Sequence, residues 1–305
     1  MQVSLMTKIA ELYGSSTDRK PLDAYWPSVI DTQECPFLAK KCLKMRKSLA
    51  DLTIGSCTVT FSRPPQPIMI CPYRLLERQQ IFHDCTLLLT LHEPGNELHL
   101  IPGLNIPGGI VDYCLTSVRN RRVVDFVGIE LQTLDTTGTV WPERQRFLHQ
   151  HGLPVSEVDR TSAKPFGLNW KMTAKTILVQ LHHKISTFEN LSKHLVLVTQ
   201  DHLMAYMRRK FNFNHLHQAR LGDSMHFHTY SLQTTEMGLR LEFSERWSTD
   251  ANGIALCLGK ATEVNVELQV IFQKIEARIS SQTRLSLNPT PESPTLTDEL
   301  TENEA

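Results

Sequence analysis

Two β-branched and aromatic runs separated by a short polar stretch, Gly109 to Leu115 and Arg122 to Gln132, constrain this chain more than any other feature. Such runs form strands, and the polar residues Ser117 to Arg121 between them form a hairpin turn. Side chains alternate along a strand, so Glu130 and Gln132 share one face while Ile129 and Leu131 point to the other, toward a core. A carboxylate in mid-strand among apolar neighbours needs a partner. Antiparallel pairing brings Asp112, which follows Gly108-Gly109, opposite Glu130. Two converging carboxylates repel unless a cation lies between them, and oxygen ligands with open water positions suit Mg2+. A magnesium ion held in this way polarises a phosphoryl oxygen and activates a bound water, the chemistry of a metal-dependent phosphodiesterase. The alternative from spacing alone is a pair of exposed charges on a half-solvated sheet.

Cysteine placement is the second signal. Of seven cysteines, Cys35, Cys42, Cys57 and Cys71 fall in the first quarter of the chain, as C-x6-C-x14-C-x13-C. Cys85, Cys114 and Cys257 sit in apolar surroundings and read as small buried hydrophobes. Cys35 and Cys71 each precede a proline and Cys57 follows Gly55-Ser56, turn-forming contexts that aim a side chain inward. Residues near Pro64-Pro65-Gln66-Pro67 promise little regular structure, so a metal held by four thiolates would supply stability this segment lacks. Tetrahedral sulfur suits zinc and iron alike. Unligated thiols are the alternative.

Composition enters where partners are concerned. The formal net charge is zero, but residues 281–305 carry five acids against one base, which leaves residues 1–280 at plus four. That Ser/Thr/Pro/Glu-rich tail is expected to be disordered. Around Cys42, the bases Lys40, Lys41, Lys44, Arg46 and Lys47 form either a phosphate-contacting surface or a solvated helix face, and the adjacent cysteines favour DNA. No apolar run approaches the ~20 residues of a bilayer span, and the first residues lack a signal peptide, so a cytoplasmic protein without a membrane partner is expected.

Elsewhere, Arg74 to Leu89 has roughly helical spacing, ended by Pro94-Gly95. Trp170 to Ser186 reads as an amphipathic helix packed on the sheet, from which Lys175 or Gln180 are the candidates to approach the carboxylates. Met207 to Tyr230 interleaves Arg208, Arg209, Lys210 and Arg220 with aromatic residues, and reads as a phosphate-contacting segment or an ordinary strand. Gly253 to Ala261 lacks the spacing of a phosphate loop and reads as a strand.

The pattern D-x17-E-x-Q, formed by Asp112, Glu130 and Gln132, resembles the PD-(D/E)XK nucleases with glutamine in place of the usual lysine. More specifically, VVDFVGIELQTLDTTG, the CPF, GSC and ICP cysteine contexts upstream and GLNWKMTAKTILVQLHHKI downstream resemble the NotI family of type II restriction endonucleases, over about residues 30 to 190. The resemblance implies an α/β restriction-endonuclease-like core, a central mixed sheet flanked by helices, at 74–280, beside a loop-rich four-cysteine module at 1–73. It implies a homodimer cutting double-stranded DNA at a short site, with a cognate DNA methyltransferase as functional partner. Asp112 and Glu130 would ligate Mg2+, Gln132 would orient the attacking water, and Glu97 would add a third acid, in preference to Glu93 or Glu77. The proline that ordinarily precedes the aspartate is replaced by Val111, with Pro107 nearby. A non-catalytic metal-stabilised DNA-binding protein and a repair endonuclease of the same fold are the other readings.

Overall fold

The computed structural model describes residues 8–18, 25–46, 48–61, 64–164, 166–258 and 268–285. They divide into two compact units, one drawn from 78–132, 171–230 and 243–305, the other from 1–77, 133–170 and 231–242.

A mixed seven-stranded sheet flanked by helices organises the first of these. The hairpin forms as its sequence demands, with longer arms: β2 (Gly109–Arg119) and β3 (Arg122–Gln132) pair from Arg119↔Arg122 to Tyr113↔Ile129. The turn is only Asn120 and Arg121, both at positive φ (51° and 62°), a geometry that matches the twist of paired strands. Before them runs β1 (Glu97–Ile106), antiparallel to β2, so that β1, β2 and β3 form a meander. The chain next supplies the helix α1 (Trp170–Asn190) and the strand β4 (His194–Gln200), parallel to β3. Parallel neighbours require such a crossover. All seven residues of β4 are buried, because this part of the sheet is covered on both faces. After α2 (Asp201–Lys210) and the short β5 (His217–Gln218), β6 (Met225–Thr235) lies parallel to β4 and returns through β7 (Gly238–Thr249). The sheet order is β5-β7-β6-β4-β3-β2-β1.

Helix α1 packs through Ala174, Ile177, Leu178, Leu181, Ile185 and Phe188, all buried. A methyl on Gly128 of β3 would come 2.3 Å from the Phe188 ring, so glycine there is what lets the helix lie close to the sheet.

Several expectations are corrected. Arg74 to Leu89 is not one helix: a 3-10 segment, Pro72–Gln79, leads into a short helix, Gln80–Cys85, and a further 3-10 turn, Thr86–Leu88. Arg78 and Gln79, both at positive φ, interrupt the α-helical path. Gly253 to Leu258 is not a strand but the body of α3 (Ala251–Leu258), and Asp250 caps it by accepting the Gly253 N–H at 2.7 Å. Gly259 to Ala261 lie outside the described residues. The tail begins later than expected, because Ser281 to Leu285 dock on β1: Leu100 N–H donates to the Thr283 carbonyl (2.8 Å) and Leu285 N–H to the Leu98 carbonyl (2.6 Å). The disorder expected for 286–305 lies outside the described residues.

In the second unit, the cysteine-bearing segment is more regular than its prolines foretold. A four-stranded sheet runs in the order Ser15–Ser16, Ile9–Leu12, Ser56–Phe61, Gln66–Met69. Two small ribbons accompany it, Glu34–Cys35 with Lys40–Lys41 and Met45–Arg46 with Leu49–Thr53. The unit extends past residue 73 and recruits the helix Trp141–Gln150, whose Trp141 and Phe147 are buried. Beneath the sheet, buried Glu11 receives Arg74 Nε at 2.8 Å. No helix among the described residues is long and apolar enough to cross a membrane.

Candidate functional site

The β2–β3 register continues one step past Tyr113↔Ile129 to bring Asp112 opposite Glu130, and there side chains take over from the ladder. Leu131 N–H donates to Asp112 Oδ2 at 2.8 Å, and Asp112 N–H donates to the Glu130 carboxylate. Each carboxylate is thus fixed by the opposite strand. Asp112 keeps a face open to solvent, whereas Glu130 is buried.

This environment disfavours ionisation. Burial, then the neighbouring Asp112 charge, push Glu130 up to about 7, against an opposing pull from Lys184. Asp112 is raised too, first by the surrounding protein, while Leu131 N–H and Lys184 act in the other direction.

Lys184 is the residue that sequence reasoning missed. Its Nζ lies 2.7 Å from Glu130 Oε1, and both side chains are buried. The signal was present: Lys184 stands three residues after Leu181 and four before Phe188, on the stripe of α1 that faces the sheet. A lysine on that stripe needs an acid beneath it. Lys175 and Gln180 are exposed.

The turn between β1 and β2 holds α1 in place. Thr187 Oγ1 donates to the Pro107 carbonyl at 2.8 Å. Gly108, at φ +97°, lies so close to the helix that an added Cβ would meet the His183 carbonyl oxygen at 2.0 Å; one on Gly109 would meet Lys184 Cε at 3.2 Å. These two glycines let the lysine-bearing turn of α1 reach the carboxylates.

Gln132 follows two residues after Glu130, half-buried, its carbonyl accepting the Thr199 hydroxyl at 2.8 Å. Glu97 is not brought to this site. It pairs opposite Val118, near the other end of the meander, seven residues along β1 from Leu104, or about 23 Å. There it bonds Arg284 at 3.0 Å and His99 at 3.3 Å. Glu93 bonds exposed Arg119, and Glu77 bonds Arg74. Among the described residues, two carboxylates and one ammonium make up the site.

Cys35, Cys42, Cys57 and Cys71 are free and buried. Strand pairing gathers them: Ile70 N–H donates to the Cys57 carbonyl (3.0 Å), and Cys42 N–H to the Gln33 carbonyl (2.9 Å) beside Cys35. The two Cys-Pro turns behave alike. The amides two and three residues on, Phe37 and Leu38 in one and Tyr73 and Arg74 in the other, act on the sulfur and favour its thiolate. Burial outweighs them, raising Cys35 to about 11 and Cys71 and Cys57 also upward, with the sulfurs adding mutual repulsion. Among the described residues, no three His, Cys, Asp or Glu side chains are drawn together tightly enough to form a ready cation site. The donor chemistry nevertheless fits zinc or iron: free thiols within electrostatic reach of one another, with N–H groups supporting thiolates at the Cys-Pro turns.

The basic octet is not a helix face. Lys40–Lys41 and Met45–Arg46 lie in short strands. Lys44 Nζ donates to the Ile70 carbonyl at 2.5 Å, beside Cys71, and Arg46 grips Asp159 through two bonds of 2.9 and 3.0 Å while stacking on Trp141 at 4.2 Å. These two are committed to protein partners. Lys41 is exposed and reaches the Asp51 carbonyl (3.3 Å), Lys40 is half-buried, and Lys47 lies outside the described residues.

No family model matches this chain, and no curated protein matches it.

Proposed function

We propose that this chain is a magnesium-dependent endonuclease of the PD-(D/E)XK kind that hydrolyses phosphodiester bonds in double-stranded DNA, as a type II restriction enzyme does. The observation that carries this reading is the constellation of Asp112, Glu130 and Lys184 where the β2–β3 ladder opens. The mixed sheet supports it: a meander β1-β2-β3, a crossover helix and a parallel β4, with both acids on the meander's central and last strands.

Charge count favours a divalent ion beside the two carboxylates. Two carboxylates facing one ammonium leave one net negative charge, in a place where burial already opposes it. Magnesium bound by Asp112 and Glu130 would polarise the phosphoryl oxygen and lower the pKa of a bound water. Hydrolysis would join a water oxygen to phosphorus as the ester P–O bond breaks, the proton that the water gives up balancing the one that the leaving oxygen takes up. Lys184 holds Glu130 in place and puts a positive charge beside the phosphoryl group as its negative charge grows. The amide of Gln132 takes no proton. Its role is to orient water from the same strand face. Lys184 therefore supplies, from α1, the cation that the strand motif lacks.

Cys35, Cys42, Cys57 and Cys71 would hold a structural zinc or iron in this reading. The homodimer and the partner methyltransferase rest on the resemblance alone.

The test is digestion of unmethylated phage DNA with Mg2+ by the parent and Glu130→Ala in parallel, with fragment ends sequenced. Discrete fragments from the parent alone are expected. Binding in Ca2+ without cutting by either protein would point instead to a non-catalytic DNA-binding protein. Cutting confined to mismatched or damaged DNA would point to repair.

A further inference from the structure

A second feature of the sheet-bearing unit is not used by the carboxylate site. Residues Gln218 to Arg220, with Phe243 to Trp247 of β7, line a groove of about 720 Å³. Arginines from three elements converge on it. Arg220 and Arg246 are in its wall, and Arg208, near the end of α2, lies with its guanidinium 4.2 Å over the Trp247 ring. Arg246 stacks at 4.4 Å on Phe243, which is exposed. Arg209 and Lys210, both exposed, extend the positive charge. Acids are fewer: Glu245 accepts the Trp247 indole N–H at 2.9 Å, and Asp84 lies 3.5 Å from Arg246. Cations at a helix C-terminus can simply complement its dipole. That does not account for Arg220 and Arg246, which come from outside the helix to the same groove.

Strand register sets the groove's height. Gln132 pairs with Thr199 and Thr199 with Thr229, whose hydroxyl bonds both the N–H (3.1 Å) and the carbonyl (3.2 Å) of Glu245. Glu245 is therefore level with Gln132, three strands away, about 14 Å across the sheet. One DNA strand presents a phosphate every ~3.4 Å, so this span matches about four nucleotides.

We propose that this groove binds the sugar-phosphate backbone of duplex DNA flanking the cleaved bond, through Arg208 and Arg220, with Phe243 and Trp247 as the faces on which guanidinium groups are preordered. The inference rests on the nuclease reading and adds a DNA-contact surface to it. Both arginines are exposed, Arg208 over the Trp247 ring and Arg220 in the groove wall. Their charge is available to phosphate. Arg246, tied to Asp84, is a positioning residue.

The experiment measures anisotropy of a fluorescein-labelled, mixed-sequence duplex in Ca2+ over a range of salt, for the parent, Arg208→Ala/Arg220→Ala and Arg208→Lys/Arg220→Lys. Loss of two phosphate contacts should weaken binding to all sequences alike and lower the slope of log affinity against log salt by about 2. The lysine variant should restore most of that slope, which excludes misfolding as the cause. Parental affinity and slope in the alanine variant, with the parent binding and cutting normally, would overturn the groove and leave the nuclease reading intact. A parent that binds no duplex at all would overturn both.

Discussion

Glu130→Gln should stabilise the metal-free protein at alkaline pH while abolishing its chemistry. Glu130 is held at about 7 rather than near 4.5, first by burial and second by Asp112. In the unfolded chain the carboxyl loses its proton near 4.5; in the folded chain it keeps it until about 7. The stability contribution is therefore fully present below 4.5 and is lost as the pH rises through 7, a fall of about 3 kcal/mol. Glutamine resembles the protonated acid and still offers Lys184 an oxygen, so the variant lacks that fall. Urea unfolding from about pH 5 to about pH 8, read by hydrogen exchange on peptides of β1, β2 and β3, should show the two proteins diverging as pH rises, the variant the more stable by about 3 kcal/mol at the alkaline end. Added Mg2+ should restore much of the difference to the parent and little to the variant. Parallel pH profiles, or a variant less stable at pH 8, would refute the reasoning, because they would mean that attraction to Lys184 outweighs desolvation.

Further outcomes follow from the same geometry. Lys184→Met removes the cation that lowers Glu130, so the pH profile of cutting should move to higher pH as well as fall in height; a uniform loss with no shift would indicate a purely structural lysine. Gly108→Ala should cost about 2–4 kcal/mol in urea unfolding, since both its φ and the His183 carbonyl oppose a Cβ, while Gly152→Ala, with open space around it, should show only the smaller backbone strain. Elemental analysis should find about one zinc or iron per chain, and Cys57→Ser should lower both metal content and stability; a metal-free parent of equal stability would defeat that assignment. Lys44→Ala should disturb the cysteine-bearing unit and leave the salt slope of DNA binding unchanged, because its ammonium is bound to the Ile70 carbonyl.

What was legible in the sequence was what neighbouring residues determine. The hairpin could be read because β-branched residues and a polar turn are local signals, but it is a one-residue register shift between Ser117 and Val118, beyond the turn itself, that sets Asp112 against Glu130 rather than Ile129. Lys184 was not read because helix patterning treats every lysine as solvated, although its place between Leu181 and Phe188 belongs to the buried stripe. Glu97 was chosen by its distance along the chain from Asp112, but β1 runs antiparallel to β2 and carries it to the opposite end. The apolar run Gly253 to Leu258 is too short for periodicity to separate strand from helix, and the decisive signal was the Asp250 cap before it. The basic octet was read by composition, yet a guanidinium that finds a carboxylate such as Asp159, far along the chain, no longer presents a phosphate-binding face.

Strand β1 forms one margin of the seven-stranded sheet, and Thr283 and Leu285 take up backbone groups that it would otherwise present to solvent. Ten residues long and mostly buried, β1 without that cover would be a template for a strand from another molecule. Five residues at the start of an acidic, otherwise unremarkable segment thus act as a guard against self-association: a chain cut back to residue 280 should keep its carboxylates and its groove, and become prone to aggregate edge to edge.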